Sequence, residues 1–245
     1  MPRGSDFEAR WSEGAWAELK VVEALNAHHA LVAAQFGITD GTAFSSSRDM
    51  EARALPEQDK HGKRPDVLIF RPGSLQPDEV RTVGQLLTQE DTAAEPLARK
   101  AILAIECEFS PYNYGHRLTQ YGTELSFTIK DEDLAPLRQW QEYFGVPLGI
   151  AQIYLDSAYF LSFKTLTDGI ATGAIRQQIE RTYRKPVYYP KMSKGIVFGR
   201  FEQMPEIRGG VILDKYGKYT PFREVTGGVL TLAEEMENYI ASLQG

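Results

Sequence analysis

Two glutamates near the middle of the chain form the residue pattern with the clearest chemical meaning. Glu106 and Glu108 end an apolar run, and the segment Ala101–Phe109 predicts a buried strand. Successive side chains of a strand point to opposite faces, so both glutamates share one face. Neighbouring carboxylates on a central strand repel each other and are costly to desolvate, and a divalent cation would compensate both effects. The opposite face carries Ile105, Cys107 and Phe109.

A third carboxylate, Asp66, begins a second predicted strand. The run Pro65–Phe70 is short and apolar, and a Pro-Gly turn sequence follows it. If the two strands are neighbours, Asp66 meets Glu106 and Glu108. Three converging carboxylates favour Mg2+, which prefers oxygen ligands and can activate water beside a phosphoryl group. Two simpler explanations stay open, because the glutamates could line an edge strand and Pro-Asp is a frequent turn dipeptide.

The combination of Pro65-Asp66 with Glu106-Cys107-Glu108 resembles the motif of the PD-(D/E)xK nuclease superfamily. Glu108 stands where that motif has lysine, and this departure, with the continuation Phe109–Asn113, is similar to a subgroup of Type II restriction endonucleases. The resemblance covers roughly residues 65–163. It implies a restriction-endonuclease-like α/β fold with a mixed central sheet flanked by helices. It also implies an enzyme that cuts double-stranded DNA with Mg2+, for which Mn2+ would substitute. A palindromic site would favour a homodimer, and the absence of a helicase or ATPase motif predicts that no nucleotide cofactor is needed.

The resemblance implies a role for each residue of the site. Asp66 and Glu106 would bind the metal together with the backbone carbonyl of Cys107, and Glu108 would position or deprotonate the attacking water. Glu18, on the predicted first helix, is a further candidate ligand, although a solvated helix face is the favoured explanation for it. Because glutamate replaces the motif lysine, a positive charge from elsewhere could complete the site. The candidates are Lys20, Lys100 and Lys130.

A basic segment lies in the C-terminal third of the chain. Residues 176–200 contain seven Lys and Arg and one acid, Glu180, which gives a local charge of +6 in a chain of net charge -6. This asymmetry is typical of a face that binds DNA phosphates, although a solvated basic surface is the alternative. His116 and Arg117 follow the motif closely and could contact the scissile phosphate. The predicted DNA-binding residues are His116, Arg117, Arg176, Arg181, Arg184, Lys185, Lys191 and Lys194.

The elements around these residues predict an α/β domain with a mixed sheet. Residues 39–64 are polar and predict a loop, and residues 76–99 predict one helix and a loop. Two strands are expected within Pro147–Phe163, and the segment from about residue 184 to 231 is expected to be mostly β. Further helices are predicted over Glu13–Asn26, Leu134–Phe144, 169–183 and 233–243, the first with Trp16, Leu19, Val22 and Leu25 on its buried face.

Composition limits the remaining function classes. The 245 residues, 42% of them hydrophobic, predict one globular domain with a catalytic core at about 13–165 and a β-rich extension at about 166–245 for DNA recognition or dimerisation. One cysteine excludes an intramolecular disulfide and a cysteine-rich zinc site. No apolar run approaches the roughly 20 residues of a membrane helix and no signal-peptide core is present, so a cytoplasmic protein is expected.

Two alternatives to a Type II restriction endonuclease stay open. The first is another nuclease of the superfamily, such as a repair or transposition subunit, and the second is a non-catalytic DNA-binding protein.

Overall fold

The two glutamates lie on an interior strand of a mixed sheet. A computed structural model describes residues 5–36, 61–83, 91–115, 124–180, 184–213 and 219–243. Within these ranges a seven-stranded sheet has the order β1-β2-β3-β5-β6-β9-β10, and a smaller sheet has the order β4-β8-β7. The strands are β1 (Val32–Gln35), β2 (Val67–Phe70), β3 (Leu103–Phe109), β4 (Ile129–Lys130), β5 (Leu148–Ile153), β6 (Ser157–Ser162), β7 (Gln177–Ile179), β8 (Pro186–Tyr188), β9 (Ile196–Leu213) and β10 (Tyr219–Leu232).

Pairing directions make the large sheet mixed, as the sequence predicted. Strands β3 and β5 are parallel, whereas every other neighbouring pair in this sheet is antiparallel. The last two strands, from the predicted extension, continue the same sheet beyond β6. Helices flank the sheet: α1 (Ser5–Asn26), α2 (Pro77–Val83), α3 (Asp91–Ala98), α4 (Asp131–Phe144), α5 (Phe163–Ala171) and α6 (Glu234–Ser242).

Apolar side chains cover both faces of the sheet, because neighbouring residues of each strand point to opposite sides. On one face Leu68 and Phe70 of β2 join a core cluster with Trp140 of α4. On the other face Val67 and Ile69 join a second cluster with residues of α1 and α6. All four residues of β2 are therefore buried. None of the described helices is both long and apolar enough to cross a membrane.

The predictions for the central strands and the C-terminal helix are confirmed. Strands β2, β3, β5 and β6 lie within the predicted segments, and α4 ends at Gly145, whose φ of 72° stops the helix. Residues 76–83 and 91–99 contain two helices, where one was predicted. The predicted loop at 39–64 lies outside the described residues except for its last four positions.

The helix predicted over 169–183 was wrong. Helix α5 begins at Phe163, because the side chain of Ser162 caps it by accepting a hydrogen bond from the backbone N–H of Thr165. It ends before Gly173, whose φ is 72°, and strand β7 follows. The buried face of α1 was also wrong in part: Leu19 is 43% exposed, while Trp16, Ala17, Val21, Ala24 and Leu25 are buried.

Candidate metal centre

Glu106 and Glu108 project from a strand that is paired on both sides. Strand β3 lies between β2 and β5, and in the register with β5 Glu106 lies beside Ile150 and Glu108 beside Gln152. The edge-strand explanation for the two glutamates is therefore wrong. The alternation is confirmed as well, because Ile105, Cys107 and Phe109 pack on the opposite face of the sheet.

A third carboxylate joins these glutamates from helix α4. One carboxylate oxygen of each of Glu106, Glu108 and Asp133 lies within 4.8 Å of the others. Asp133 is in the first turn of α4, where the unpaired backbone N–H groups of a helix favour negative charge. Asp133 was not among the predicted site residues, because the predicted helix begins at Leu134. The acidic run Asp131-Glu132-Asp133 before an apolar repeat was the available signal, since acids are enriched in first turns.

Two lysines link the three carboxylates. The ammonium group of Lys63 pairs with Glu106 and lies 3.3 Å from Oδ1 of Asp133. The ammonium group of Lys130 lies 3.3 Å from Oε1 of Glu108 and 3.8 Å from Oδ2 of Asp133. Asp133 thus stands between the two lysines. Of the three lysines proposed from sequence only Lys130 makes an ion pair in this cluster; Lys100 pairs with Glu79 and Lys20 with Glu23.

Close packing of the preceding loop on α4 positions Lys63. Gly62 has a φ of 85°, and a β-carbon there would lie 2.1 Å from the carbonyl oxygen of Pro136 and 2.6 Å from the backbone nitrogen of Trp140. Only glycine fits this approach without a shift of backbone. The backbone N–H of Lys63 then donates a hydrogen bond to the carbonyl of Pro136 at 3.1 Å. Lys63 could not be predicted as a site residue, because its contact with Pro136 joins positions 73 residues apart in the sequence.

Asp66 lies beside the three-carboxylate cluster and is not one of its members. Its Oδ2 accepts a hydrogen bond from the backbone N–H of Cys107 at 2.7 Å, which ties the start of β2 to β3. Burial raises the pKa of Asp66 well above its usual value, and the nearby charges of Glu106 and Glu18 raise it further. Glu18 itself is buried and lies 3.4 Å from the side-chain amide of Gln35. The solvated-helix-face explanation for Glu18 is therefore wrong.

The side chain of Glu106 has unmet bonding capacity. Only 6% of it is exposed, and burial raises its pKa, although the ammonium group of Lys63 opposes that shift. Its Oε2 is buried and, among the described residues, has no hydrogen-bond partner. Burying a carboxylate oxygen without a hydrogen-bond donor costs free energy, and coordination of a hard divalent cation would compensate that cost. The residues present therefore fit a divalent cation.

Charge balance at the site agrees with this fit. Four carboxylates, from Asp66, Glu106, Glu108 and Asp133, face two ammonium groups, from Lys63 and Lys130. Four negative and two positive charges leave -2 when all six groups are ionised. Glu18, whose charge also reaches Asp66, makes the surroundings more negative still, and a divalent cation would offset this excess of negative charge.

Gln152 supports the end of strand β3 beneath the site. Its Nε2 donates hydrogen bonds to the carbonyl oxygen of Glu108 at 3.1 Å and to Oγ of Ser110 at 3.0 Å. Its Oε1 accepts one from the backbone N–H of Thr128 at 2.9 Å. The side chain is completely buried, so these three bonds satisfy groups that water does not reach. Gln152 thereby joins the strand of Glu108 to the segment leading into Lys130.

The described basic residues lie on and around the hairpin of β7 and β8. Arg176, Arg184, Lys185, Lys191 and Lys194 are exposed. The count of +6 from sequence overstates the free charge, because Lys185 pairs with Glu132 at 2.7 Å and Lys191 lies 3.8 Å from Glu124. This hairpin is joined to the carboxylate site through β4, in which Lys130 pairs with Val187 of β8. His116, Arg117 and Arg181, which sequence also selected, lie outside the described residues.

Comparisons with solved structures include two of low TM-score. No family model matches the chain, and no curated protein does. The Holliday junction resolvase of Archaeoglobus fulgidus is 14% identical, with a TM-score of 0.28 over 64% of this chain and 90% of that chain. A nuclease from a fusselovirus is 8% identical, with a TM-score of 0.36 over 81% of this chain and 90% of that chain. Both TM-scores are below 0.5, so neither likeness supports a role for this chain.

Proposed function

We propose that this protein is a metal-dependent endonuclease that hydrolyses phosphodiester bonds of double-stranded DNA, of the Type II restriction class. One observation carries the proposal: Oε2 of Glu106 lies buried in a cluster of three carboxylates and has no hydrogen-bond partner in the part of the chain that the structure describes. The resemblance of Asp66, Glu106 and Glu108 to the nuclease motif supplies the reaction class. Glu108 in place of the motif lysine favours the restriction subgroup.

Glu106, Glu108 and Asp133 are the residues that would hold Mg2+, with Asp66 and the carbonyl of Cys107 as the adjoining ligands proposed from the motif. Mn2+ is expected to replace Mg2+, because it accepts the same oxygen ligands. When bound, the metal would supply a Lewis acid for a phosphoryl oxygen and lower the pKa of a water molecule.

The chain's own residues act on the water and on the phosphate charge. Glu108 accepts the proton of the attacking water, whose oxygen bonds to phosphorus as the bond to the ester oxygen breaks. The leaving oxygen takes up a proton from a solvent water molecule. Lys130 is 44% exposed and lies beside Glu108, so its ammonium group can reach both Glu108 and a phosphate at the surface. A fixed positive charge at that position stabilises the negative charge that develops on the phosphoryl oxygens.

Duplex DNA would lie across the carboxylate site and the β7–β8 hairpin. Arg176, Arg184 and Lys194 are exposed there, and arginine and lysine neutralise phosphates on such surfaces. A palindromic target would require two copies of the chain related by a two-fold axis, because each site cuts one strand. The proposed enzyme is therefore a homodimer that needs Mg2+ and no nucleotide.

A cleavage assay with a metal-binding control tests this function. The protein is incubated with mixed-sequence duplex DNA and Mg2+, beside an EDTA control and the variants Glu106→Gln and Glu95→Gln. Glu95, on helix α3, is the matched control, because its carboxylate pairs with Arg99 and accepts a hydrogen bond from Tyr143 and is not part of the carboxylate cluster. Discrete fragments from the wild type and from Glu95→Gln, absent with EDTA and with Glu106→Gln, are expected.

Other outcomes would redirect the proposal. Smeared products would indicate a nuclease of lower specificity, such as a repair or transposition subunit. A gel shift without cleavage, on both plain and modified DNA, together with no Mn2+-induced rise in melting temperature, would replace the enzyme with a non-catalytic DNA-binding protein.

A further inference from the structure

Lys63 lies inside the carboxylate cluster and not at its rim. Its ammonium group contacts Glu106 and Asp133, two of the three residues whose oxygens converge, and its side chain is 23% exposed. Lys130 contacts Glu108 and Asp133 with a side chain that is 44% exposed. The two lysines thus differ in depth, although they share Asp133.

The backbone around Lys63 holds the ammonium group in this place. Gly62 fits against α4 without room for a β-carbon, and the N–H of Lys63 is bonded to Pro136 on the same helix. Asp133 lies one turn earlier on that helix. The ammonium group pairs with both carboxylates, so a positive charge lies between Glu106 and Asp133. A divalent cation held by Glu106 and Asp133 would therefore share both carboxylates with Lys63, whose positive charge lies beside the same two groups.

We infer that Lys63 is a built-in competitor of the divalent cation: it occupies the position between Glu106 and Asp133 in the metal-free protein and must move aside when the metal binds. This inference rests on the proposed metal site. Its consequence is that the wild-type chain binds metal more weakly than its carboxylates alone would. Lys63 keeps the apo protein stable by compensating the buried carboxylates, at the expense of affinity for metal.

The direction in which metal affinity changes when Lys63 is replaced distinguishes competition from a purely positioning role. If Lys63 competes, removing its charge relieves the repulsion and tightens metal binding. If Lys63 only holds Glu106 and Asp133 in place, its removal lets the carboxylates move apart and weakens metal binding. A single charge at ion-pair distance shifts proton affinity by roughly 10-fold to 1000-fold, and a change of about tenfold or more is expected for a divalent cation.

The test is the dissociation constant of Mn2+ alone, measured by titration calorimetry on the full chain without DNA. Lys63→Met removes the charge and keeps the length, and Lys63→Gln is the second variant because its amide can still donate to Glu106. Lys130→Met is the matched control at the exposed rim. Both Lys63 variants are expected to bind Mn2+ about tenfold more tightly than the wild type, with a smaller change for Lys130→Met. The Mn2+-induced rise in melting temperature should be larger in the Lys63 variants, since apo stability falls and affinity rises.

Unchanged or weaker Mn2+ binding by the folded Lys63 variants would overturn the inference. Tighter binding without cleavage of DNA by any form would sustain the competition and overturn the proposed enzyme. Cleavage of DNA by the wild type, with equal Mn2+ affinities in the wild type and the variants, would sustain the proposed enzyme and overturn the competition. A wild type that binds no Mn2+ would overturn both.

Discussion

The ammonium group of Lys130 lies 3.3 Å from a carboxylate oxygen of Glu108, the residue that stands where the resembled motif has lysine. The positive charge is therefore present at the site, although it comes from the end of β4 and not from β3. The charge of Glu108 is the main reason that the pKa of Lys130 is raised, which keeps this lysine protonated.

Replacing Lys130 should slow cleavage with little loss of stability. Lys130→Ala is expected to reduce kcat by about 100-fold, in the range found when one stabilising donor is removed from an active site. Single-turnover cleavage of duplex DNA measures the effect, and thermal melting should change little because the side chain is half-exposed. Lys164→Ala, an exposed lysine paired with Asp168 on α5, is the control and should retain full activity.

Changing Gln152 should disturb the carbonyl of Glu108. Gln152→Glu keeps the shape and the acceptor for Thr128, but it replaces the donor that serves Glu108 and Ser110 with an acceptor. The carbonyl of Glu108 then loses its donor, whereas the hydroxyl of Ser110 can turn to donate to the new carboxylate, and we expect a loss of about 1–3 kcal/mol in the free energy of unfolding. Urea denaturation measures this loss. A variant as stable as the wild type would show that the hydrogen bond from Gln152 to the carbonyl of Glu108 contributes little to stability.

Adding a β-carbon at Gly62 should be far more harmful than at a neighbouring glycine. Gly62→Ala meets Pro136 and Trp140 at a positive φ, so it should cost about 1–3 kcal/mol in stability and displace Lys63. Gly73→Ala is the control, because nothing lies within 4 Å of a β-carbon there. Chemical denaturation compares the two, and equal stabilities would contradict the close approach of the loop to α4.

Releasing Lys185 from its acid should strengthen DNA binding. Glu132→Gln removes the partner of Lys185 at the surface of the β7–β8 hairpin. We expect tighter binding of duplex DNA and a salt dependence steeper by about one unit, the increment for one phosphate contact. Fluorescence anisotropy at several salt concentrations gives the slope. Asp168→Asn makes the same charge change on α5, and an equal effect there would mean that net charge alone is responsible.

The strand part of the site could be read from sequence because a strand repeats every two residues. Glu106 and Glu108 needed only the apolar run before them to be placed on one face, and Asp66 needed only the second run. The pairing of β2 with β3 then brought these runs together. Local pattern and tertiary arrangement agree at these positions.

The rest of the site could not be read, because tertiary contacts between distant segments create it. The packing of Gly62 on α4 places Lys63 beside Glu106, and the spacing of apolar residues along the sequence does not indicate that contact. Helix α1 shows a related difficulty: its buried face includes Ala17 and Ala24, which a pattern of large apolar residues overlooks. This shift of the face left Leu19 exposed and buried Glu18.

Lys130 is the last residue of β4 and also the N-cap of α4, so a single residue joins the small sheet to the helix that carries Asp133. Its partner across β4 and β8 is Val187, two residues beyond Lys185 in the basic hairpin. In the proposed nuclease, DNA bound at that hairpin would therefore help to set the position of the ammonium group beside Glu108, because one pair of hydrogen-bonded strands joins the two.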